Sequence, residues 1–169
     1  MPDFQTQIIR SPKRKKTVSA KLVKDILYIY APSYIAEAQL TKIVDSFKSR
    51  VAKSQLRKEL KKNQDLNLIA QRLNERYFNG KLHIKSIEYS VDQDRKFGCC
   101  DYNTKCIRIS HRLKDMPEWV RDYVIVHEMA HLVEPNHSGA FWKIIEGYKL
   151  AERAKGFLLA KGLEENETD

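Results

Sequence analysis

Long apolar runs are missing from this chain. No stretch approaches the roughly 20 apolar residues that a membrane-spanning helix needs, so no membrane role is expected. Glycine and proline are scarce, at 6 and 5 of 169 residues. That excludes collagen-like and low-complexity architectures. Cysteine is scarcer still. The 3 present, Cys99, Cys100 and Cys106, are odd in number and crowded together. A secreted disulfide framework is therefore not expected, and the chain reads as a protein of the reducing cytoplasm. The opening MPDFQTQIIRSPKRKK has a short apolar pair followed by charges, unlike a secretory signal.

Enough apolar material for a core is present: 42% of residues are hydrophobic. The length suits one compact domain. Positive charge is in excess, and it is unevenly placed. Residues 1–62 carry 15 Lys+Arg against 5 Asp+Glu, net +10, while residues 63–169 carry 16 against 17, net −1. A basic first third can be a solvated surface, or it can attract phosphate backbones and other polyanions. The expected division is a basic segment over 1–16, a single domain over 17–163 and a frayed acidic tail over 164–169. Within that domain, 17–62 form a basic hairpin-and-helix part and 63–163 a catalytic core.

Two runs of β-branched and aromatic residues, Thr17–Val23 and Ile26–Tyr30, flank Lys24-Asp25 and predict a hairpin. Leu40, Ile43, Val44, Phe47 and Val51 recur at helical spacing, in a helix that can extend through Leu56 and Leu60. Its solvent face holds Lys48, Arg50, Lys53, Arg57, Lys58, Lys61 and Lys62. Asp65 suits the N-cap of a second helix, which Asn79-Gly80 stops because both tolerate positive φ. Strands are expected over Ile84–Ser90, around Phe97–Cys100 and over Lys105–Ile109. Pro117 opens a helix that Pro135 ends, and further helices follow from Ser138. Hairpin, helices, a small antiparallel sheet and more helices make an α+β pattern, not a regular parallel alternation.

The chemistry concentrates in VIVHEMAHLVEPNH, Val124–His137. It holds three of the five histidines. His127 and His131 lie four apart on a predicted helix and project from one face, so two ring nitrogens can reach one zinc ion. Glu128 sits beside them and can reach a water without being a ligand, the arrangement of H-E-x-x-H hydrolases. Zinc lowers the pKa of its water to roughly 7, and Glu128 suits the general base. A catalytic zinc takes three protein ligands and keeps one open position. His137, just past the break at Pro135-Asn136, is the natural third. A bare H-E-x-x-H often occurs by chance. Here, however, two histidines and a carboxylate on an apolar helix would be costly to bury without a partner such as a metal.

These residues resemble the YgjP-like and SprT-like metallopeptidase families of the zincin superfamily. Leu73-Asn74-Glu75-Arg76-Tyr77-Phe78-Asn79-Gly80-Lys81-Leu82 is similar to the SprT-like segment before the sheet. Phe97-Gly98-Cys99-Cys100 stands where YgjP-like chains have Trp-Gly-Ser-Cys. Ile107-Arg108-Ile109-Ser110 is similar to the strand before the active-site helix. His137-Ser138-Gly139-Ala140-Phe141-Trp142 resembles the segment His-Ser-x-x-Phe-Trp that brings the third ligand. The basic start, hairpin and Ala31-Pro32 resemble the YgjP-like N-terminus. The resemblance spans most of residues 10–150. It implies a zincin-like fold, zinc held by His127, His131 and His137, Glu128 as base, and peptidase activity on a peptide or protein substrate.

Other candidates have plainer readings. Cys99, Cys100 and Cys106 are expected as small core residues, because adjacent strand residues face opposite ways and cannot easily chelate together. Tyr102, Tyr148, Lys149 and Arg153 are candidates to stabilise an oxyanion, Tyr148 more as a packing residue. His83 and His111 are ordinary surface or strand residues. Phe141 and Trp142 are expected to anchor the loop bearing His137. The run Arg10–Lys16 and the basic helix could touch nucleic acid; lacking interleaved aromatics, they would do so through phosphates alone. The rival functions are hydrolysis of nucleotide phosphoanhydrides and a nucleic-acid-associated module with structural zinc.

Overall fold

The computed structural model describes residues 5–62, 65–93 and 95–161. The side chain of Asp65, those of Lys61 and Lys62, and the tail expected to fray over 164–169 lie outside what is described. The architecture is α+β. The chain divides into two compact units, Met1–Lys58 and Glu59–Asp169.

The first unit holds strands β1 (Gln5–Ser11), β2 (Ser19–Val23) and β3 (Ile26–Pro32), and most of helix α1 (Glu37–Lys62). β2 and β3 pair antiparallel across Lys24-Asp25. Lys24 takes a positive φ of 53° there, a conformation that a tight hairpin demands and lysine only tolerates. β3 alternates: Leu27, Ile29 and Ala31 are buried, and Tyr28 and Tyr30 point to the other face. The buried set packs with Leu40 and Val44 of α1 in a small core.

β1 is an addition to the expected hairpin. Residues read as a basic segment form a strand parallel to β3, giving the order β1-β3-β2. The sequence QTQIIRS shows little alternation, since an edge strand has one neighbour and buries little. Arg10 ties β1 to the start of α1, donating to the Ser33 and Ile35 carbonyls at 3.2 Å each and to the Glu37 carboxylate.

The second unit starts with α2 (Asp65–Phe78), which stops at Asn79-Gly80, both at positive φ. The sheet that follows corrects the expected antiparallel one: it is mixed. β4 (Ser86–Ser90) runs parallel to β6 (Cys106–Ser110), and β5 (Gly98–Asp101) pairs antiparallel with β6 from the other side. β6 lies between β4 and β5, so β4 pairs with a strand two places later in the chain and meets it in the same direction. A short 3₁₀ turn (His111–Asp115) leads to α3 (Glu118–Ala130), then α4 (Gly139–Ile145) and α5 (Ala151–Ala160). Val120 and Tyr123–Ala130 of α3 are all buried. Eight consecutive buried residues, Tyr123–Ala130, leave no solvent face over two turns, which puts this part of the helix at the centre of its unit. Ile107, Ile109, Leu113, Phe141 and Leu158 close over it. Among the described residues, no helix is long and apolar enough to cross a membrane.

Candidate metal centre

The last turn of α3 and the loop after it build the site. The helix does not run to Pro135 as expected. It ends at Ala130, with His131 as its C-cap. Leu132 N donates to Met129 O at 3.0 Å and Val133 N to Ala130 O at 2.9 Å, the tightened bonding that closes a final turn. Glu134 precedes a proline and is disfavoured in helical conformation, so the chain must leave the axis before Pro135. The turn brings His137 back beside His127.

The three imidazoles converge. Their ligand atoms all lie within 4.8 Å of one another. Ring centroids are 5.1 Å apart for His127–His131 and His127–His137, and 4.8 Å for His131–His137. Nε2 of His137 and Nε2 of His127 approach to 3.2 Å. At that distance either one ring N–H donates to the other nitrogen, or both lone pairs face a common cation. A tetrahedral ion with bonds of ~2.0–2.1 Å sets its ligand atoms about 3.3 Å apart, so the spacing fits a shared cation. His131 Nδ1 lies 3.1 Å from Pro135 O. A carbonyl only accepts, so Nδ1 carries the proton and Nε2 is left as the ligand atom. Burial, then the charges of His131, His137 and Lys155, pulls the His127 pKa down to about 3. Burial and then His137 lower that of His131 as well. Neutral imidazole is the metal-binding form.

Aromatic residues lock the third histidine. Ser138 caps α4, its Oγ accepting from Phe141 N at 3.4 Å. Phe141 is fully buried against His131 (4.6 Å) and His127 (4.9 Å). Trp142 stacks on His137 at 5.5 Å and 21°. Lys155 Nζ sits 4.2 Å from the Trp142 ring centre, so α5 also braces the loop. Phe141 and Trp142 therefore hold the positions expected of them.

Glu128 is buried at 6% exposure, beside the histidines and against β5. Gly98 makes this possible. A Cβ there would stand 2.6 Å from Glu128 Cγ and 2.7 Å from Cδ, and would also collide with Oε1. The carboxylate thus lies on bare backbone. A glycine inside a strand is a known sign of close approach, and here the approaching group is Glu128. Cys100, two residues on and facing the same way, has its pKa pushed up to about 12 by burial first and Glu128 second. It stays a thiol.

The cleft has a volume of about 330 Å³. Its floor is His127, Glu128, His131 and His137; Phe97, Gly98, Cys99 and Cys100 form one wall, and Lys96, Tyr102 and Trp142 also line it. The link before β5 is pinned by residues that sequence reasoning passed over. Arg112 donates from Nε to Ser110 Oγ (3.1 Å) and from Nη2 to Gln93 O (3.0 Å), and lies 5.4 Å from the centre of the Phe97 ring. No spacing pattern announces such a clamp, because its partners are a hydroxyl, a backbone carbonyl and a ring face.

Of the four oxyanion candidates, Tyr102 alone lines the cleft, on the turn whose amides Asn103 N and Thr104 N both donate to Asp101 Oδ1 at 3.0 Å. Tyr148 is buried and donates to Trp119 O at 2.7 Å, and burial pushes its pKa up to about 12. Arg153 lies over the Trp119 ring. Neither it nor Lys149 lines the cleft. His83 is exposed, and His111 Nδ1 lies 3.2 Å from Ser90 O. The cysteines are free and half-buried.

A family profile described as YgjP-like, metallopeptidase domain, matches residues 5–150. Comparison with curated proteins returned no match. Among solved structures, the crystal structure of the metallopeptidase zymogen of Pyrococcus abyssi abylysin is similar at 17% identity, over 56% of this chain and 92% of that one, with a TM-score of 0.48.

Proposed function

The chain belongs to the YgjP-like metallopeptidase family, and from that premise we propose that it is a zinc-dependent peptidase of zincin-like fold. His127, His131 and His137 hold the ion, and Glu128 is the general base. The observation that carries this reading is the convergence of three imidazoles, with ligand atoms within 4.8 Å, on a cleft whose lining also includes the carboxylate of Glu128. A zinc ion bound there supplies Lewis acidity and makes its water acidic near neutral pH.

The chain's own groups do the rest. Glu128 takes a proton from the attacking water and returns it to the departing amine. Its buried seat on Gly98 holds the carboxylate in one place, so little reorganisation is needed at the reacting bond. Tyr102, at the mouth, donates a hydrogen bond to the carbonyl oxygen as negative charge develops on it. The stacked Trp142 and Phe141 keep His137 in register.

The test combines metal content with hydrolysis. Untagged wild-type protein should hold about one zinc per chain, and His137→Ala should lose it or bind it far more weakly. The zinc-loaded protein should cleave members of a quenched peptide library. Zinc without peptide cleavage, but with phosphate release from nucleoside triphosphates, would replace the peptidase reading with phosphoanhydride hydrolysis. A folded wild type that takes up no zinc would end both.

A further inference from the structure

The basic first unit has no role in the chemistry above, and its sheet carries a feature that the linear sequence concealed. Leu27, Ile29 and Ala31 of β3 are fully buried in the core shared with α1. The alternating residues, Tyr28 and Tyr30, must then face the other side. Neither belongs to that core. β3 is the central strand, so the two tyrosines, both half-buried, sit in the middle of the outer face, the one away from α1. Register places Lys21 of β2 and Gln7 of β1 on either side of Tyr28, and Ser19 and Ile9 on either side of Tyr30. The Arg14 guanidinium lies 5.4 Å from the Tyr30 ring centre. Lys13, Lys15, Lys16 and Lys24, on the connections at the sheet's margins, are exposed.

We propose that this outer sheet face binds single-stranded nucleic acid. Two aromatic rings on the central strand give a stacking surface for unpaired bases, and the surrounding cations follow the phosphates. Charge complementarity favours a polyanion: residues 1–58 carry 13 Lys+Arg against 4 Asp+Glu. A duplex keeps its bases stacked inside and would use the charge but not the tyrosines. A lipid surface fits less well, because the positions flanking Tyr28 are lysine and glutamine, not aliphatic anchors. The strand alternation supplies the aromatics whose absence from the basic runs had suggested phosphate contact alone.

The experiment is fluorescence anisotropy of the full chain with a labelled twelve-nucleotide oligo-dT and with a duplex of equal length, at low and moderate salt. The single strand should bind more tightly, with affinity falling steeply as salt rises. Tyr28→Ser with Tyr30→Ser should weaken single-strand binding by about tenfold or more and change duplex binding less than twofold. Should that pair disturb folding by circular dichroism, Tyr28→Leu with Tyr30→Leu keeps apolar bulk while removing the stacking rings, and the same loss is expected. Equal affinity for both nucleic acids, with neither tyrosine pair mattering, would overturn the platform and leave phosphate attraction only. Capture by phosphatidylserine vesicles without oligonucleotide binding would assign the face to membranes. Glu128→Gln should bind the oligonucleotide as the wild type does, so failure here and failure of the peptidase reading are separate results.

Discussion

The two units differ in how they use charge. Residues 1–58 hold 13 Lys+Arg and 4 Asp+Glu, net +9; residues 59–169 hold 18 of each, net zero. The first unit has five buried core residues, Leu27, Ile29, Ala31, Leu40 and Val44, and spreads its charge over a sheet and a long helix. The second buries His127 and Glu128 on a helix whose other buried residues are apolar or aromatic. A buried carboxylate beside histidines is tolerable only where a metal or a hydrogen-bonding shell stabilises it. A surface of lysines needs only water. One unit thus concentrates a few polar groups in a low-dielectric cleft, while the other disperses many at the surface, and each should be breakable without the other.

The largest separation should come from Glu128→Gln. Peptide cleavage should fall by about 10²- to 10⁴-fold, the usual worth of a general base. Metal content and oligonucleotide binding should not change. If cleavage survives, Glu128 is not the base, and the cleft's chemistry has been misassigned.

The converse test attacks the first unit's core. Ile29 is fully buried in a small cluster, so Ile29→Ala should cost ~2–5 kcal/mol, transfer plus cavity. Urea titration followed by hydrogen exchange should show lost protection in β1–β3, and oligonucleotide binding should go with it. Zinc stoichiometry should hold near one. Parallel loss of zinc would mean that the two units fold as one cooperative system, and the comparison would then fail for stability although not for chemistry.

Gly98→Ala sharpens the contrast inside the second unit. The added methyl meets Glu128 Cγ and Cδ inside 3 Å, and overpacking of this kind costs ~1–3 kcal/mol. Because the clash is with the Glu128 side chain, Glu128→Ala should relieve it. A double-mutant cycle in thermal unfolding should therefore show strong coupling between the two positions. In the single variant kcat should fall about tenfold or more while KM and zinc content stay close to wild type. Additive stability losses would show that Gly98 matters for β5 alone.

Much of this was readable in advance, for definite reasons. The histidine cluster declares itself because the residue types that can ligate a metal are few and the spacing His127-x₃-His131 is fixed by the helical repeat. The break before His137 follows from Pro135. The helix end was less legible: Ala130 ends α3 through carbonyl–amide bonds that any residue can make, and only the later proline marks it. β1 escaped because none of its residues is fully buried on either face, so nothing imposes a clean alternation. The mixed sheet escaped because direction depends on how the chain passes from β4 to β5, and the bonds that hold Gln93 and Phe97 there come from Arg112 and Ser110, distant in sequence. Gly98 was visible as a glycine in a strand, but which group it admits is a three-dimensional fact. Tyr28 and Tyr30 were visible as strand-formers; their shared face follows from alternation, and that it is the face away from α1 is shown only by packing.

The smallest expected effect concerns the cysteines, and it reads the two faces of one sheet. Register sets Cys106 opposite Asp101, on the face away from Gly98 and Cys100. Hydrogen bonding from Ser86, then Thr104, lowers the Cys106 pKa. Cys100, on the Glu128 side, is raised to about 12. The thiolate is the nucleophile, so at pH 8 iodoacetamide should label Cys106 well before Cys100, as mass spectrometry of tryptic peptides would show. The sign of the Glu128 contribution gives a finer check. A nearby anion disfavours a second one, so removing it in Glu128→Gln lowers the Cys100 pKa and should speed its labelling a few-fold. Cys100 should still react slowly, since burial is the larger cause. Labelling of Cys100 that ignores the state of residue 128 would mean that the carboxylate is neutral or turned away from β5, and the seat on Gly98 would need to be redrawn.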